Sequence, residues 1–362
     1  MKIFFIGYDL NRYNGGMQHY YLTILDYLSR KGHSLYTYTY IDGPSVTSST
    51  RQIRKIEFID RHFRGMLAHL AVILKIKKIE HVFCGHMFLT PIADKLCRVL
   101  KLDYTLFTHG TECWAGYFRK DAQNQKCLTR IVTVSDFTKK QLMTQGAPAD
   151  KIVYIPCVID PERYIPRHVK KDKNKFIILT VCRHEKEQGY KGCDEVIRAM
   201  PTVLLQVPQA EYWITGKGDD LPRLERLVDE YNLRGKVRFL GFLPFDELVN
   251  VYASSDIFVM PSRLSLDEGK MEGEGFGVVF LEAGVMGKPL IGPNRGGSLD
   301  IIRDGYNGFN VNPTDRAEIA ERIVRLARDA DLRKTMGENA RQVVLKEYTI
   351  SHLSEYIQPL FA

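Results

Sequence analysis

Short apolar runs alternate along this chain with stretches whose apolar residues recur every three or four positions. Residues 3–7, 35–41, 81–85, 104–108 and 131–134 read as strands. Between them, 16–31 sets Tyr20, Tyr21, Ile24, Leu25 and Leu28 on one helical face and stops at Gly32. Residues 65–78 form a basic, apolar helix, and Ser135 stands as N-cap to a helix over 136–145. A second series opens with strand 176–181 and continues through helix 192–207, strand 211–215, helix 220–231 and strands 237–241 and 257–260. A helix from Val278, strand 289–292, helix 316–330 and a last helical stretch over 337–348 complete it. Strand and helix alternation of this kind predicts an α/β chain with two doubly wound parallel sheets.

Between the two series lie Pro156, Pro161 and Pro166, followed by four lysines within 167–175. That composition reads as an inter-domain linker. The expected domains are 1–166 and 167–345, with the aromatic tail 346–362 packing back on the first. Two such halves imply a shared cleft, with ligands at the carboxyl ends of the strands.

At 362 residues the chain exceeds what one core usually holds. With 44% hydrophobic and 26% charged residues it has the make-up of a soluble globular protein, and no apolar run reaches eighteen residues. Met1-Lys-Ile-Phe-Phe-Ile6 is too short for a signal-peptide core, and Gly7 and Asp9 follow at once, so the expected location is cytoplasmic. The seven cysteines are odd in number and form no C-x-x-C pair, so neither a disulfide frame nor a zinc site is expected. A net charge of +8 comes without a nucleic-acid-binding motif, which leaves phosphorylated substrates or an anionic membrane surface as partners.

One stretch carries specific chemistry. Glu274-Gly-Phe-Gly-Val-Val-Phe-Leu-Glu282 places two carboxylates eight residues apart around a Gly-Phe-Gly turn, just after a strand and just before a helix. A glycine turn opening a helix presents unpaired N–H groups and the positive end of the helix dipole, which suits an anion. Carboxylates on either side suit hydroxyl groups. Phosphate beside sugar is what a nucleotide sugar offers.

Other fragments fall in order around it: Asn14-Gly-Gly-Met17, Phe107-Thr-His-Gly-Thr-Glu112, Val181-Cys-Arg183, Tyr190-Lys-Gly192, Ile214-Thr-Gly-Lys-Gly-Asp219, Val237-Arg-Phe-Leu-Gly241, Met260-Pro-Ser262 and Gly296-Gly297. In this order and spacing the chain resembles the retaining glycosyltransferases of family 4, which have the GT-B fold. The resemblance covers nearly the whole chain and is densest over 177–313.

The resemblance implies roles. Glu274 would accept hydrogen bonds from the donor sugar, and Glu282 would bind both ribose hydroxyls. The amides of Phe276, Gly277 and Val278 would hold phosphate and sugar, with Gly275 and Gly277 leaving the approach open. Arg183 would clamp the diphosphate. The second cation would be Lys191, with Lys186 as competitor. Gly15 and Gly16 would let the first loop approach the diphosphate or the acceptor, and Gly216, Arg238 and Leu240 belong to the donor side. His109 would line the donor sugar. Gln18 and Glu112 are acceptor-side candidates, and Glu112 could instead orient His109.

Two departures from the family pattern stand out. Pro156-Cys-Val-Ile-Asp160 replaces a Gly-containing segment, and Asp300 stands where a Glu is usual. The resemblance implies transfer of a hexose from a nucleoside diphosphate sugar, UDP before GDP, to a glycan or lipid-linked hydroxyl, with no metal and no other cofactor. Members of the family often act at the inner membrane face. A dinucleotide oxidoreductase is disfavoured because Leu221 stands where the third glycine of G-x-G-x-x-G is needed. A sugar-nucleotide epimerase of the same fold and a non-catalytic sugar-nucleotide binder are the alternatives.

Overall fold

A computed structural model describes residues 1–7, 15–39, 53–55, 63–169, 171–267 and 270–361. Asn14, residues 40–41 of the second expected strand and most of 51–64, a segment whose five basic groups also suit an anionic surface, lie outside them. The chain divides into two compact units, Met1–Val158 with Ile350–Ala362, and Ile159–Thr349.

In the first unit the elements run β1 (Lys2–Gly7), α1 (Gly16–Arg30), β2 (Ser34–Thr39), β3 (Ile53–Lys55), α2 (Phe63–Lys77), β4 (His81–Cys84), α3 (Thr90–Leu100) and β5 (Tyr104–Thr108). There follow α4 (Tyr117–Lys120), β6 (Leu128–Thr133), α5 (Asp136–Thr144) and β7 (Ile152–Tyr154). The strands pair in parallel in the order β3-β2-β1-β4-β5-β6-β7. Ser135 caps α5 by accepting from the Thr138 N–H, as its position suggests. The C-terminal tail belongs to this unit: the Tyr356 ring meets Tyr154 edge-on and the Phe361 ring stacks on His33.

The second unit contains β8 (Phe176–Val181), α6 (Cys193–Gln206), β9 (Ala210–Thr215), α7 (Leu221–Glu230), β10 (Val237–Gly241), α8 (Phe245–Ser254) and β11 (Ile257–Val259). A short hairpin, β12 (Ser265–Asp267) and β13 (Lys270–Glu272), precedes α9 (Val278–Val285), β14 (Leu290–Pro293), β15 (Gly308–Val311), α10 (Arg316–Arg328) and α11 (Ala330–Glu347). The sheet order is β10-β9-β8-β11-β14-β15, again parallel. Its strands are apolar on both faces because helices cover both, the expected signature of a parallel sheet. Ile178, Val196, Ile197, Tyr212, Ile257 and Ile323 lie in the resulting core.

The order of strands reverses beside β8, between β9 on one side and β11 on the other. Such a switch point opens a crevice at the strands' carboxyl ends. There the loop after β8 packs on the loop after β11 so closely that a Cβ on Gly192 would sit 2.2 Å from the Pro261 carbonyl oxygen.

The expected linker is not a solvent-run connection. Ile155, Val158, Ile159 and Tyr164 are buried. The Ile159 N–H bonds the Tyr348 carbonyl, and Lys171 and Lys175 pair with Asp256 and Glu211. The lysine-rich segment therefore belongs to the second unit, and the division falls at Val158/Ile159 rather than after residue 166.

Candidate functional site

The turn from Glu274 to Val278 is built as its glycines require. Gly277 has φ +93°, open to glycine without strain, and forms the N-cap of α9. A Cβ there would run into the Phe280 ring. The second glycine pair braces the turn from behind: the Gly297 N–H donates to the Glu274 carbonyl at 3.0 Å. A Cβ on Gly297 would lie 1.8 Å from the Gly275 carbonyl oxygen. Phe276 is buried edge-on against Tyr348, so its side chain anchors the turn while its backbone faces the helix start. Among the described residues no acceptor takes the N–H of Phe276, Gly277 or Val278. The last two are among the orphan donors that open α9, and the Phe276 N–H directly precedes them.

Lys191 Nζ donates to Glu274 Oε2 at 2.6 Å, and both side chains are largely buried, 16% and 13% exposed. Burial pulls the Lys191 ammonium down, but the Glu274 carboxylate, Tyr190 and Cys182 together outweigh it, and its pKa ends well above the usual lysine range. Lys186 lies elsewhere. Its N–H bonds Asp219, and it lines a cavity of about 600 Å³ with Tyr190, Arg263 and Glu272. Arg183 is half exposed, 3.5 Å from Glu185, and lines a small pocket with Lys191 and Gly192.

Glu282, one turn into α9, is held by two phenols: Tyr164 donates to Oε1 at 3.2 Å and Tyr252 to Oε2 at 2.8 Å. Burial raises its pKa, and the two hydroxyls partly offset that. Each oxygen keeps acceptor capacity for a diol. The tyrosines lie 118 and 30 residues away in sequence, and no local pattern announces them.

Two donor-side expectations acquire a different physical basis. Gly216 has φ +128°, and a Cβ on it would lie 1.8 Å from the Cys182 carbonyl oxygen, so backbone packing alone demands glycine. The Arg238 guanidinium is turned toward Glu211, 3.9 Å away, and the Trp213 ring. Leu240 is half-buried on the same edge strand.

In the first unit, His109 sits at the end of β5 with Nε2 2.5 Å from the Tyr21 hydroxyl and 3.2 Å from the Gly85 carbonyl. Burial, then the neighbouring His86, pull its pKa down to about 3 against the Gly85 carbonyl, so the ring is neutral at pH 7. Glu112 does not orient the imidazole. Its Oε1 accepts from the His109 backbone N–H at 2.5 Å, and the amides of Glu112 and Gly110 also reach its carboxylate. Gly15 caps α1 in extended backbone, Gly16 opens the helix, and a Cβ on Gly15 would meet the Gln18 side chain.

One cluster was not expected from the spacing of cysteines. Cys182, His184 and Cys193 bring their donor atoms within 4.8 Å of one another, beside Arg183 and Lys191. The hydrogen bond from Cys182, with His184 behind it, holds the Cys193 thiol below its usual range against burial.

Comparison with known proteins places this geometry in a family. A family model of the glycosyl transferases group 1 matches residues 162–343, and one of glycosyltransferase family 4 matches residues 14–163. The chain is 27% identical over 305 residues to an uncharacterized glycosyltransferase of Methanocaldococcus jannaschii, covering 78% of this chain and 75% of that one. It is 29% identical over 226 residues to the GDP-mannose-dependent alpha-(1-6)-phosphatidylinositol monomannoside mannosyltransferase of Mycobacterium tuberculosis. That match spans 61% of this chain and 58% of the mycobacterial one. Among solved structures, HepE of Anabaena in complex with UDP superposes with a TM-score of 0.83 at 19% identity, over 100% of this chain and 99% of that one. Sucrose-phosphate synthase of Thermosynechococcus elongatus gives 0.82 at 19%, over 100% and 98%. The turn, its cations and its carboxylates thus lie within the matched segment, and the chain belongs to the glycosyl transferases group 1: it is a glycosyltransferase with the GT-B fold.

Proposed function

We propose that the chain moves a hexosyl group from a nucleoside diphosphate sugar to a hydroxyl of a glycan or lipid-linked acceptor, with retention at the anomeric carbon, in the synthesis of a surface polysaccharide or glycolipid. The observation that carries this reading is the Lys191–Glu274 pair, which belongs to the same switch-point face as Arg183 and the amides that open α9. On donor binding Lys191 exchanges Glu274 for a phosphate oxygen, and Glu274 becomes free to accept from the sugar hydroxyls. Arg183, Lys191 and the amides of Phe276, Gly277 and Val278 then take up charge as the diphosphate leaves. A departing phosphate oxygen receives the acceptor's proton on the front face, so the step needs neither a protein nucleophile nor a divalent ion. Glu282, with its tyrosines holding one lone pair of each oxygen, accepts from the two ribose hydroxyls.

UDP is the preferred base in this reading, supported by HepE, a protein of like fold that was solved with UDP and with UDP-glucose. GDP is the second reading, favoured by the GDP-mannose-dependent relatives of Mycobacterium and Corynebacterium. A thermal-shift panel of UDP- and GDP-sugars separates them. A ligand at a hundred times its Kd adds about 2.7 kcal/mol to native stability. The reading expects one nucleotide to stand out, followed by transfer from its sugar, and a panel without any shift overturns it.

A lipid-linked acceptor at an anionic surface is supported by α2 and α3. These helices pack together and expose Val72, Ile76 and Val99 near Lys75, Lys77 and Lys78. No helix among the described residues is long and apolar enough to cross a membrane. Co-flotation with anionic but not neutral liposomes at low salt is the expected result, and absence of flotation removes the surface.

A further inference from the structure

The loop between β8 and α6 carries both Arg183 and Lys191, and its two ends meet in a cluster of sulfur and nitrogen. Cys182 and His184 alternate on extended backbone just past β8, and Cys193 begins α6. Cys182 Sγ lies 3.5 Å from Cys193 Sγ and 3.8 Å from His184 Nδ1. A tetrahedral zinc with bonds of about 2.3 Å to sulfur and about 2.0 Å to nitrogen spaces its ligands by about 3.5–3.8 Å. That is about 3.8 Å between two sulfurs and about 3.5 Å between sulfur and nitrogen. The observed 3.5 and 3.8 Å each lie within about 0.3 Å of these, and all three donor atoms lie within 4.8 Å of one another. A disulfide, by contrast, would need the sulfurs at about 2.05 Å.

The surroundings match a metal centre as well. His184 Nε2 lies 3.2 Å from the Thr215 carbonyl, which fixes the tautomer and leaves Nδ1 toward Cys182. A metal-bound imidazole typically donates its other N–H to such a carbonyl. Gly216 makes the room: a Cβ there would lie 3.1 Å from His184 Nε2. The Tyr212 hydroxyl reaches Cys193 and is itself paired with Thr180 at 2.7 Å. A pocket of about 10 Å³, about the size of one water, is lined by His184 and Cys193 together with Arg183 and Lys191, so it adjoins two of the three ligands.

We propose that Cys182, His184 and Cys193 bind one thiophilic divalent cation, zinc by preference, which ties the end of β8 to the start of α6. Two thiolates and a neutral imidazole balance its charge and select it over magnesium or calcium. The ion is structural. It fixes the ends of the loop bearing Arg183 and Lys191 and takes no part in the transfer step.

The test uses the full chain, expressed with zinc in the medium, passed over a chelating resin and assayed for metal. About one zinc per chain is expected to remain, with Cys182→Ser and Cys193→Ser each retaining roughly tenfold less. Cys127→Ser, on a half-exposed cysteine in the other unit, retains it. Because the first two variants could fail to fold, cobalt is also titrated into the metal-stripped wild-type chain. A thiolate-to-cobalt charge-transfer band that disappears on adding zinc supports the site. No retained zinc together with no such band overturns it, as does zinc retained in both variants or a Cys182–Cys193 disulfide found by non-reducing peptide mapping. No nucleotide sugar enters these measurements, so they are independent of the proposed transfer reaction.

Discussion

Lys191 Nζ sits 2.6 Å from Glu274 Oε2, joining a residue of the loop before α6 to one eighty-three positions later in the turn before α9. With both side chains largely buried, neither charge can be removed without stranding the other. Losing one partner of such a pair costs about 3 kcal/mol or more. Lys191→Met and Glu274→Gln should each lower the melting temperature, while the double variant should recover most of the loss. Turnover should fall roughly 100-fold in all three, because the missing phosphate and sugar contacts are not restored. Recovery of both stability and turnover in the double variant would assign the pair to structure alone.

Glu282 and its phenols govern donor affinity rather than the chemical step. Glu282→Ala should raise the donor KM by roughly tenfold or more with a smaller change in kcat, the pattern of lost ground-state binding. Tyr252→Phe should show a weaker form of the same effect. Steady-state kinetics at varied donor concentration checks this, and an unchanged KM for Glu282→Ala would count against the ribose contact.

The paired glycines behind the turn carry a steric prediction. Gly297→Ala puts a methyl group 1.8 Å from the Gly275 carbonyl oxygen, so the turn must move. Overpacking of this sort costs about 1–3 kcal/mol. Donor affinity should fall with stability, although residue 297 offers no side chain to the ligand. Gly305→Ala, at a position with open space and φ +72°, strains the backbone without touching the turn and should leave donor affinity unchanged. Equal donor affinities in the two variants would contradict the bracing role.

His109 gives the first unit an acid sensitivity whose sign follows from burial. Its folded pKa of about 3 lies below the ordinary histidine value. Between about pH 3 and 6.5 the unfolded chain therefore binds a proton that the folded chain does not, and stability rises with pH across that window. Going from pH 6.5 to 5 should cost about 2 kcal/mol from this residue. His81 and His86, also lowered by burial, add to the slope. The fall in melting temperature between pH 7 and 5 should be smaller in His109→Gln than in the wild type, and an identical fall would argue against a buried neutral ring.

Much of this arrangement could be read from the residues because its causes are local. Within each of β1, β5, β8 and the glycine turn before α9, the residues that set the local structure lie within a few positions of one another. Contacts made by distant segments could not be read this way. Tyr164 and Tyr252 converge on Glu282 from a segment that reads as a linker and from α8, for which the sequence pattern predicts no element. Cys182 and Cys193 are eleven positions apart and share no recognisable metal spacing, yet a strand end and a helix start bring them together. Helix α3 lies outside the elements expected from the sequence, and its Pro91 occupies the first turn, where its missing N–H costs nothing. Strand β15 was missed because four residues containing a glycine and an asparagine carry no alternation.

The central claim is that a diphosphate is held by Arg183, Lys191 and the amides opening α9. Calorimetric titration tests it most directly, using the nucleoside diphosphate that gives the largest thermal shift, alongside its bare nucleoside. The account predicts that Arg183→Ala and Lys191→Ala each weaken the diphosphate by roughly tenfold or more while leaving the nucleoside's affinity unchanged. Diphosphate affinity equal to wild type in both variants would contradict it.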